Sequence, residues 1–156
     1  MTRPVAASAL SLSLVSIALL SACSSVAPPR LSIADVQVRE VTPEGSSMVV
    51  VVRAENPNDK PIPLRSLDYS VSMGGRPVFA ATREAEATLP RFGTLDLPLP
   101  VSVPATGRPI GPSDFDLSLT LRYRAPGKLN ETLFDAGLLR PSVSAGGEGS
   151  ADLSGG

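Results

Sequence analysis

The sequence has 156 residues, 42% apolar and 19% charged, with 14 basic against 15 acidic side chains, no histidine, no tryptophan and one cysteine. Without histidine there is no Ser-His-Asp or Cys-His catalytic arrangement and no histidine-held zinc, while one cysteine makes neither an internal disulfide nor a thiolate cluster. A pI near 5.4 argues against nucleic acid as a partner, and the length fits one domain with a real core.

The chain opens on a basic residue, Arg3, followed by an apolar run over residues 5–20 and the small residues Ser21, Ala22 and Cys23. This is the layout of a secretory signal peptide. The run is roughly 16 residues, short of the ~20 that a spanning helix needs, and Pro28-Pro29 follows in place of a basic stop-transfer cluster. Leu20-Ser21-Ala22-Cys23 resembles the lipobox of bacterial lipoproteins. The resemblance implies that a diacylglyceryl group is added to the Cys23 thiol and that cleavage leaves Cys23 as the acylated first residue. A lone thiol in an oxidising compartment is a liability, which agrees with its modification. Each buried acyl CH2 contributes ~0.8 kcal/mol, so two or three chains anchor stably where one binds only reversibly. Ser24, where lipoproteins retained at the inner membrane carry Asp, implies the periplasmic face of the outer membrane of a diderm bacterium. Residues 1–22 are then the signal peptide, and 23–30 the acylated start with a short extended spacer.

Beyond Arg30 the pattern is period two, with no sustained helical period. Residues 32–41 read as a strand whose parity slips between Ile33 and Val36, predicting a bulge near Ala34-Asp35. A turn at Pro43-Glu44-Gly45 leads to residues 47–55, where the run Met48 to Val52 is apolar on both faces, as in a middle strand. Leu67, Tyr69, Val71 and Met73 alternate up to Gly74-Gly75, a hairpin signal, and residues 76–81 return. Residues 81–90 read as strand or loop. Leu95, Leu97, Leu99, Val101 and Val103 then share one face of a strand that also carries Pro98 and Pro100. Both prolines lack an N–H on the same side, so this strand belongs at a sheet edge.

After the Pro/Gly-rich stretch 106–112, Phe115, Leu117, Leu119, Leu121 and Tyr123 alternate with polar residues, the cleanest one-face-buried strand of the chain. Residues 130–136 are expected to return as a strand. Residues 142–145 add at most a weak last strand, and 146–156 read as a flexible Gly/Ser-rich tail. The whole predicts an all-β fold, an antiparallel β-sandwich of immunoglobulin or fibronectin III type with about seven strands, over residues 31–145.

The run Arg53-Ala54-Glu55-Asn56-Pro57-Asn58-Asp59-Lys60-Pro61-Ile62-Pro63-Leu64, then Leu67-Asp68-Tyr69 and Gly74-Gly75, resembles the late embryogenesis abundant type 2 (WHy) family. The likeness runs roughly over residues 31–143 and is most specific at Asn-Pro-Asn. It implies a non-catalytic immunoglobulin-like sandwich associated with water stress and desiccation tolerance. Physically, Asn56 is placed to bond backbone two residues on, Pro57 fixes φ, and Asn58 tolerates the left-handed region, so the motif reads as a strand exit.

The polar candidates are Asp114 and Asp116 with Arg122 and Arg124, and the pair Glu84 and Glu86. They lack the dense Asp/Asn/Gly loop of a calcium site and read as solvated sheet faces. No phosphate-binding loop and no nucleophile elbow is present. Phe79, Phe92, Phe115, Phe134, Tyr69 and Tyr123 are few and mostly in core parity, which speaks against an aromatic nucleic-acid platform. Two readings follow, neither with a cofactor or a metal. One is a membrane-anchored, non-catalytic envelope protein that contacts other proteins, the membrane surface or cell-wall material and protects them when water is lost. The other is a binding module for an apolar or lipid ligand held between the sheets, which calls for a cavity of several hundred cubic ångströms there. The sequence leaves the oligomeric state open.

Overall fold

The computed structural model describes residues 26–109 and 111–153. Cys23 and the signal segment lie outside the described residues. The chain forms eight strands: β1 (Arg30–Thr42), β2 (Gly45–Glu55), β3 (Ile62–Met73), β4 (Arg76–Glu84), the short β5 (Thr88–Leu89), β6 (Thr94–Pro104), β7 (Pro112–Tyr123) and β8 (Ser142–Asp152). A single helix, α1 (Lys128–Asp135), lies between β7 and β8. A three-stranded sheet of order β1-β2-β6 packs on a five-stranded sheet of order β4-β3-β7-β8, with β5 paired to the start of β3. All pairings are antiparallel. The edges also meet, β1 against β8 and β6 against β4. The all-β sandwich expected from the alternation is the fold.

The period-two residues supply the core. Met48, Val50, Val52 and Ala54 of β2, Leu97, Leu99, Val101 and Val103 of β6, and Phe115, Leu117, Leu119, Leu121 and Tyr123 of β7 are all buried. Each such Val or Leu contributes ~1.5–3 kcal/mol on burial, and together they offset the backbone entropy lost on ordering the sheets. Where the alternation slips, the ladder slips with it. The β1–β2 register shifts between Ile33 and Asp35, which is the expected bulge, and again between Val38 and Glu40. In β3 the buried positions step from Leu64 to Leu67, and the β3–β7 register shifts between Leu64 and Ser66. The Pro-rich stretch before Leu64 is already part of the sheet, since β3 starts at Ile62.

Strand β6 sits at a sheet edge, as Pro98 and Pro100 require. In an antiparallel strand the N–H and C=O of one residue point to the same side, so the carbonyls of these prolines also face outward. Both are occupied from the other sheet: Arg83 Nη1 donates to the Pro98 carbonyl and the Tyr69 hydroxyl to the Pro100 carbonyl, each at 2.7 Å. That edge therefore offers an incoming strand neither donors nor free acceptors at these two residues.

Two of the expected elements differ. Residues 130–136 are not a strand but most of α1, which ends on Gly137 at φ +75°. Gly137 N–H bonds the Phe134 carbonyl and Leu138 N–H the Leu133 carbonyl, the paired bonds of a Schellman cap. The stretch read as a mobile tail from residue 146 is instead the second half of β8, an 11-residue strand paired with β7 along its length. Its glycines are compensated by neighbours rather than by side chains of their own. Gly149 faces Phe115 across the ladder, and a Cβ at Gly149 would fall 2.5 Å from Phe115 Cζ, so the ring occupies the space a side chain would take. Gly147 does the same for Ile33, whose Cδ1 lies 2.6 Å from where a Cβ would stand. Ala151 and Leu153 then close the end of the core.

Candidate functional site

The strand registers bring four connections to one pole of the sandwich. Arg30 at the start of β1 pairs with Glu55 at the end of β2, and Glu55 pairs with Thr94 at the start of β6. Leu64 of β3 pairs with Tyr123 at the end of β7, and Arg122 with Ser142 at the start of β8. The incoming chain before β1, the β2–β3 link, the β5–β6 loop and the α1 connection thus share this end.

Asn56 organises the pole. It follows β2 directly and is 1% exposed, the only buried residue besides Ser46 that is polar among those described. Its Nδ2 donates to the carbonyls of Lys60 at 2.8 Å and Pro90 at 3.0 Å, and its backbone N–H to the Gly93 carbonyl at 2.9 Å. Its Oδ1 accepts from the backbone N–H of Asn58 at 2.9 Å, the expected Asx turn, and from Asn58 Nδ2 at 2.9 Å. Each of these bonds contributes ~1 kcal/mol net, and removing the amide leaves partly buried carbonyls without a partner at a further cost. Asn58 does not take the left-handed conformation expected of it; the non-glycine residues at positive φ are Glu86 and Phe92. Its side chain has a different task. Asn58 Oδ1 accepts from the Ala27 N–H and its Nδ2 donates to the Ala27 carbonyl, both at 2.9 Å, as a strand neighbour would. With Pro29 buried and Arg30 already in β1, the end of the stretch expected as a spacer, from Ala27 to Arg30, is fixed to the fold.

The β5–β6 loop is held by the same motif. Phe92 N–H donates to the Asn58 carbonyl at 2.9 Å, and Phe92 sits at φ +48° with its side chain 70% exposed. An aromatic residue in this region costs ~1–3 kcal/mol, and here it is spent on a ring presented to solvent. On the other side of the pole, α1 buries none of its residues. It is held by charge: Arg124 Nη2 lies 2.9 Å from Asp135 and 3.9 Å from Glu131, and the guanidinium groups of Arg65 and Arg140 lie over the Phe134 ring, 5.7 and 6.0 Å from its centre. Leu129 and Leu138 stand 72% and 77% exposed.

The polar residues singled out in the sequence do not converge. Arg122 pairs with Asp68 at 3.0 Å on the outer face of the larger sheet, where Thr82 Oγ1 also bonds Asp68. Arg124 turns away to α1, and Glu84 lies opposite Ser66 at the sheet's edge. Asp114 and Asp116 line an open depression of about 900 Å³ at the far pole with Arg76 and Arg108. Among the described residues no three His, Cys, Asp or Glu side chains are placed to hold a metal ion. A depression of about 670 Å³ on the outer face of the larger sheet is floored by Ser70, Thr82, Ser118, Thr120 and Ser144. The cleft that reaches between the sheets, lined by Leu67, Ala85, Ala87, Leu95, Leu97 and Leu99, holds about 190 Å³, below the ~300–1,000 Å³ of small-molecule sites. Phe92, Leu129 and Leu138 were not marked as a set by periodicity, since each lies beside a turn. The apolar residue within Pro90-Arg91-Phe92-Gly93 was the available signal.

The family profile described as late embryogenesis abundant protein (LEA_2) matches residues 51–144, from within β2 through Asn-Pro-Asn to the first residues of β8. The chain belongs to this family. A solution structure of a protein from Arabidopsis thaliana resembles the LEA domain with a TM-score of 0.65 at 17% identity, over 84% of this chain and 85% of that one. A solution structure of a protein described as late embryogenesis abundant gives 0.62 at 20% identity, over 81% of this chain and 72% of that one. At such identities the likeness speaks for the fold alone. No curated protein matches the chain in sequence.

Proposed function

We propose that the protein is a lipid-anchored, non-catalytic LEA type 2 lipoprotein of a bacterial envelope, held through acylated Cys23 at the periplasmic face of the outer membrane. Its role there is protective contact with envelope proteins or cell-wall material under water stress. The observation that carries the reading is the lipobox-like Leu20-Ser21-Ala22-Cys23, set a few residues before a segment that Asn58 pins to a LEA sandwich. Among the described residues no helix is long and apolar enough to cross a membrane. The ligand-binding alternative has less support, because the inter-sheet cleft is small and its floor is made of core side chains.

Two measurements test the proposal. Metabolic labelling with palmitate is expected to mark the wild-type chain in the membrane fraction, and Cys23→Ser to abolish the label and release the protein. A strain lacking the protein is expected to lose viability on drying or at high osmolarity, with rescue by wild type and not by Cys23→Ser. Equal rescue by the two would contradict a role that depends on anchoring.

A further inference from the structure

The described residues expose four large apolar side chains: Val38, Phe92, Leu129 and Leu138. Val38 lies along β1 opposite Met48. The other three, each about 70% exposed or more, lie at the pole where the incoming chain is bonded to Asn58. A soluble domain has no reason to gather its most exposed leucines and a strained phenylalanine at one end, and such a grouping marks an interaction surface. Charge points to the partner. Lys60, Arg91 and Lys128 are exposed at the same pole and make no ion pair among the described residues, while Glu131 and Asp135 both face Arg124. Asp59, Glu84 and Glu86 are exposed carboxylates of this end without an ion pair among the described residues, but the direct chain neighbours of Phe92 and Leu129 are the cations Arg91 and Lys128. Apolar tips among cations suit an anionic lipid surface.

We infer that this pole docks on the bilayer, with Phe92, Leu129 and Leu138 entering the headgroup boundary and Lys60, Arg91 and Lys128 facing anionic headgroups. The inference rests on the anchoring reading above and adds an orientation to it. Cys23 precedes Ala27 by four residues, a span of roughly 14 Å at full extension, against a headgroup layer of about 5–7 Å per leaflet. An anchor at Cys23 therefore holds this pole within contact of the lipid. The Gly74-Gly75 hairpin and the Pro43-Glu44 turn, at the opposite pole, point into the periplasm.

The chain has no tryptophan, so Phe92→Trp introduces a single reporter, with Glu44→Trp as the distal control. Each variant is prepared as the acylated protein from the envelope and reconstituted in phosphatidylethanolamine–phosphatidylglycerol vesicles. In parallel, the unacylated mature chain is coupled through its one cysteine to a maleimide lipid in the same vesicles. The expected result is a blue-shifted Phe92→Trp emission with roughly twofold quenching by brominated acyl chains, as for a ring ~5–10 Å into the boundary, and no change for Glu44→Trp. Equal, unquenched emission from both variants on the coupled vesicles would overturn the docking and assign the apolar pole to a protein partner. An intact mass without acyl chains on Cys23, with Phe92→Trp still quenched on coupled vesicles, would overturn the anchoring and leave the docking standing.

Discussion

Asn56 is where a local sequence motif becomes a long-range connection. Its side chain joins the exit of β2 to Lys60 and to the β5–β6 loop, and through Asn58 to the incoming chain. Asn56→Ala is expected to lower stability by about 2–3 kcal/mol in denaturant titration, because two partly buried carbonyls and an N–H lose their partners around a fully buried side chain. Asn56→Asp is expected to do no better, since a carboxylate oxygen would face the carbonyls of Lys60 and Pro90. The glycines of β8 give an opposite pair. Gly149→Ala puts a methyl into the Phe115 ring and is expected to cost ~1–3 kcal/mol, whereas Gly146→Ala meets nothing closer than the Leu117 carbonyl at 3.5 Å and is expected to be neutral within ~0.5 kcal/mol. Equal effects at the two positions would contradict the packing of Phe115 under β8. Burial pushes the Tyr69 and Tyr123 hydroxyls above the ordinary value of 10.0. The unfolded chain then ionises first, so stability present below about pH 10 falls as pH rises through the folded values. With no histidine, unfolding followed between about pH 6 and 9 is expected to be nearly flat. Tyr69→Phe should lessen the alkaline loss.

At the scale of elements, β6 shows how two prolines block an edge. Their missing donors were legible in the sequence; the capture of their outward carbonyls by Arg83 and Tyr69 was not, because it depends on how one sheet lies over the other. The triple variant Pro98→Thr/Pro100→Thr/Arg83→Ala restores donors and frees an acceptor, and sedimentation is expected to show concentration-dependent association that the parent lacks through this edge. An unchanged mass would contradict the account. Strands β2, β3, β6 and β7 were legible because alternation is a property of consecutive residues. What was missed, α1 and the second half of β8, is where stability comes from elsewhere. Helix α1 has no fully buried residue and only Leu129, Leu133 and Phe134 as an apolar face, too short a stripe to show as a helical period, and it depends on Arg124, Arg65 and Arg140 from outside it. Strand β8 borrows the side chain of Phe115 across the ladder and that of Ile33 from the facing sheet, and its own composition reads as tail. Composition measures what a segment can bury, not what a neighbour buries against it.

For the whole molecule, the family, the sandwich and the Asx turn of Asn56 were readable from residues; the polarity of the domain was not. That the incoming chain, Phe92 and α1 share one end follows only from strand registers spread over the chain. The pole that Asn-Pro-Asn assembles sets one end of the domain apart from the other, and the proposed anchor at Cys23 would make it the near side. Everything proposed for location and role depends on the chemical state of Cys23. Intact-mass measurement of the mature protein from its envelope decides this most directly. The account predicts a chain that begins at Cys23 and carries the added mass of a diacylglyceryl group with or without an amide-linked acyl chain. A chain that retains residues 1–22, or one that begins at Cys23 with an unmodified thiol, would contradict it.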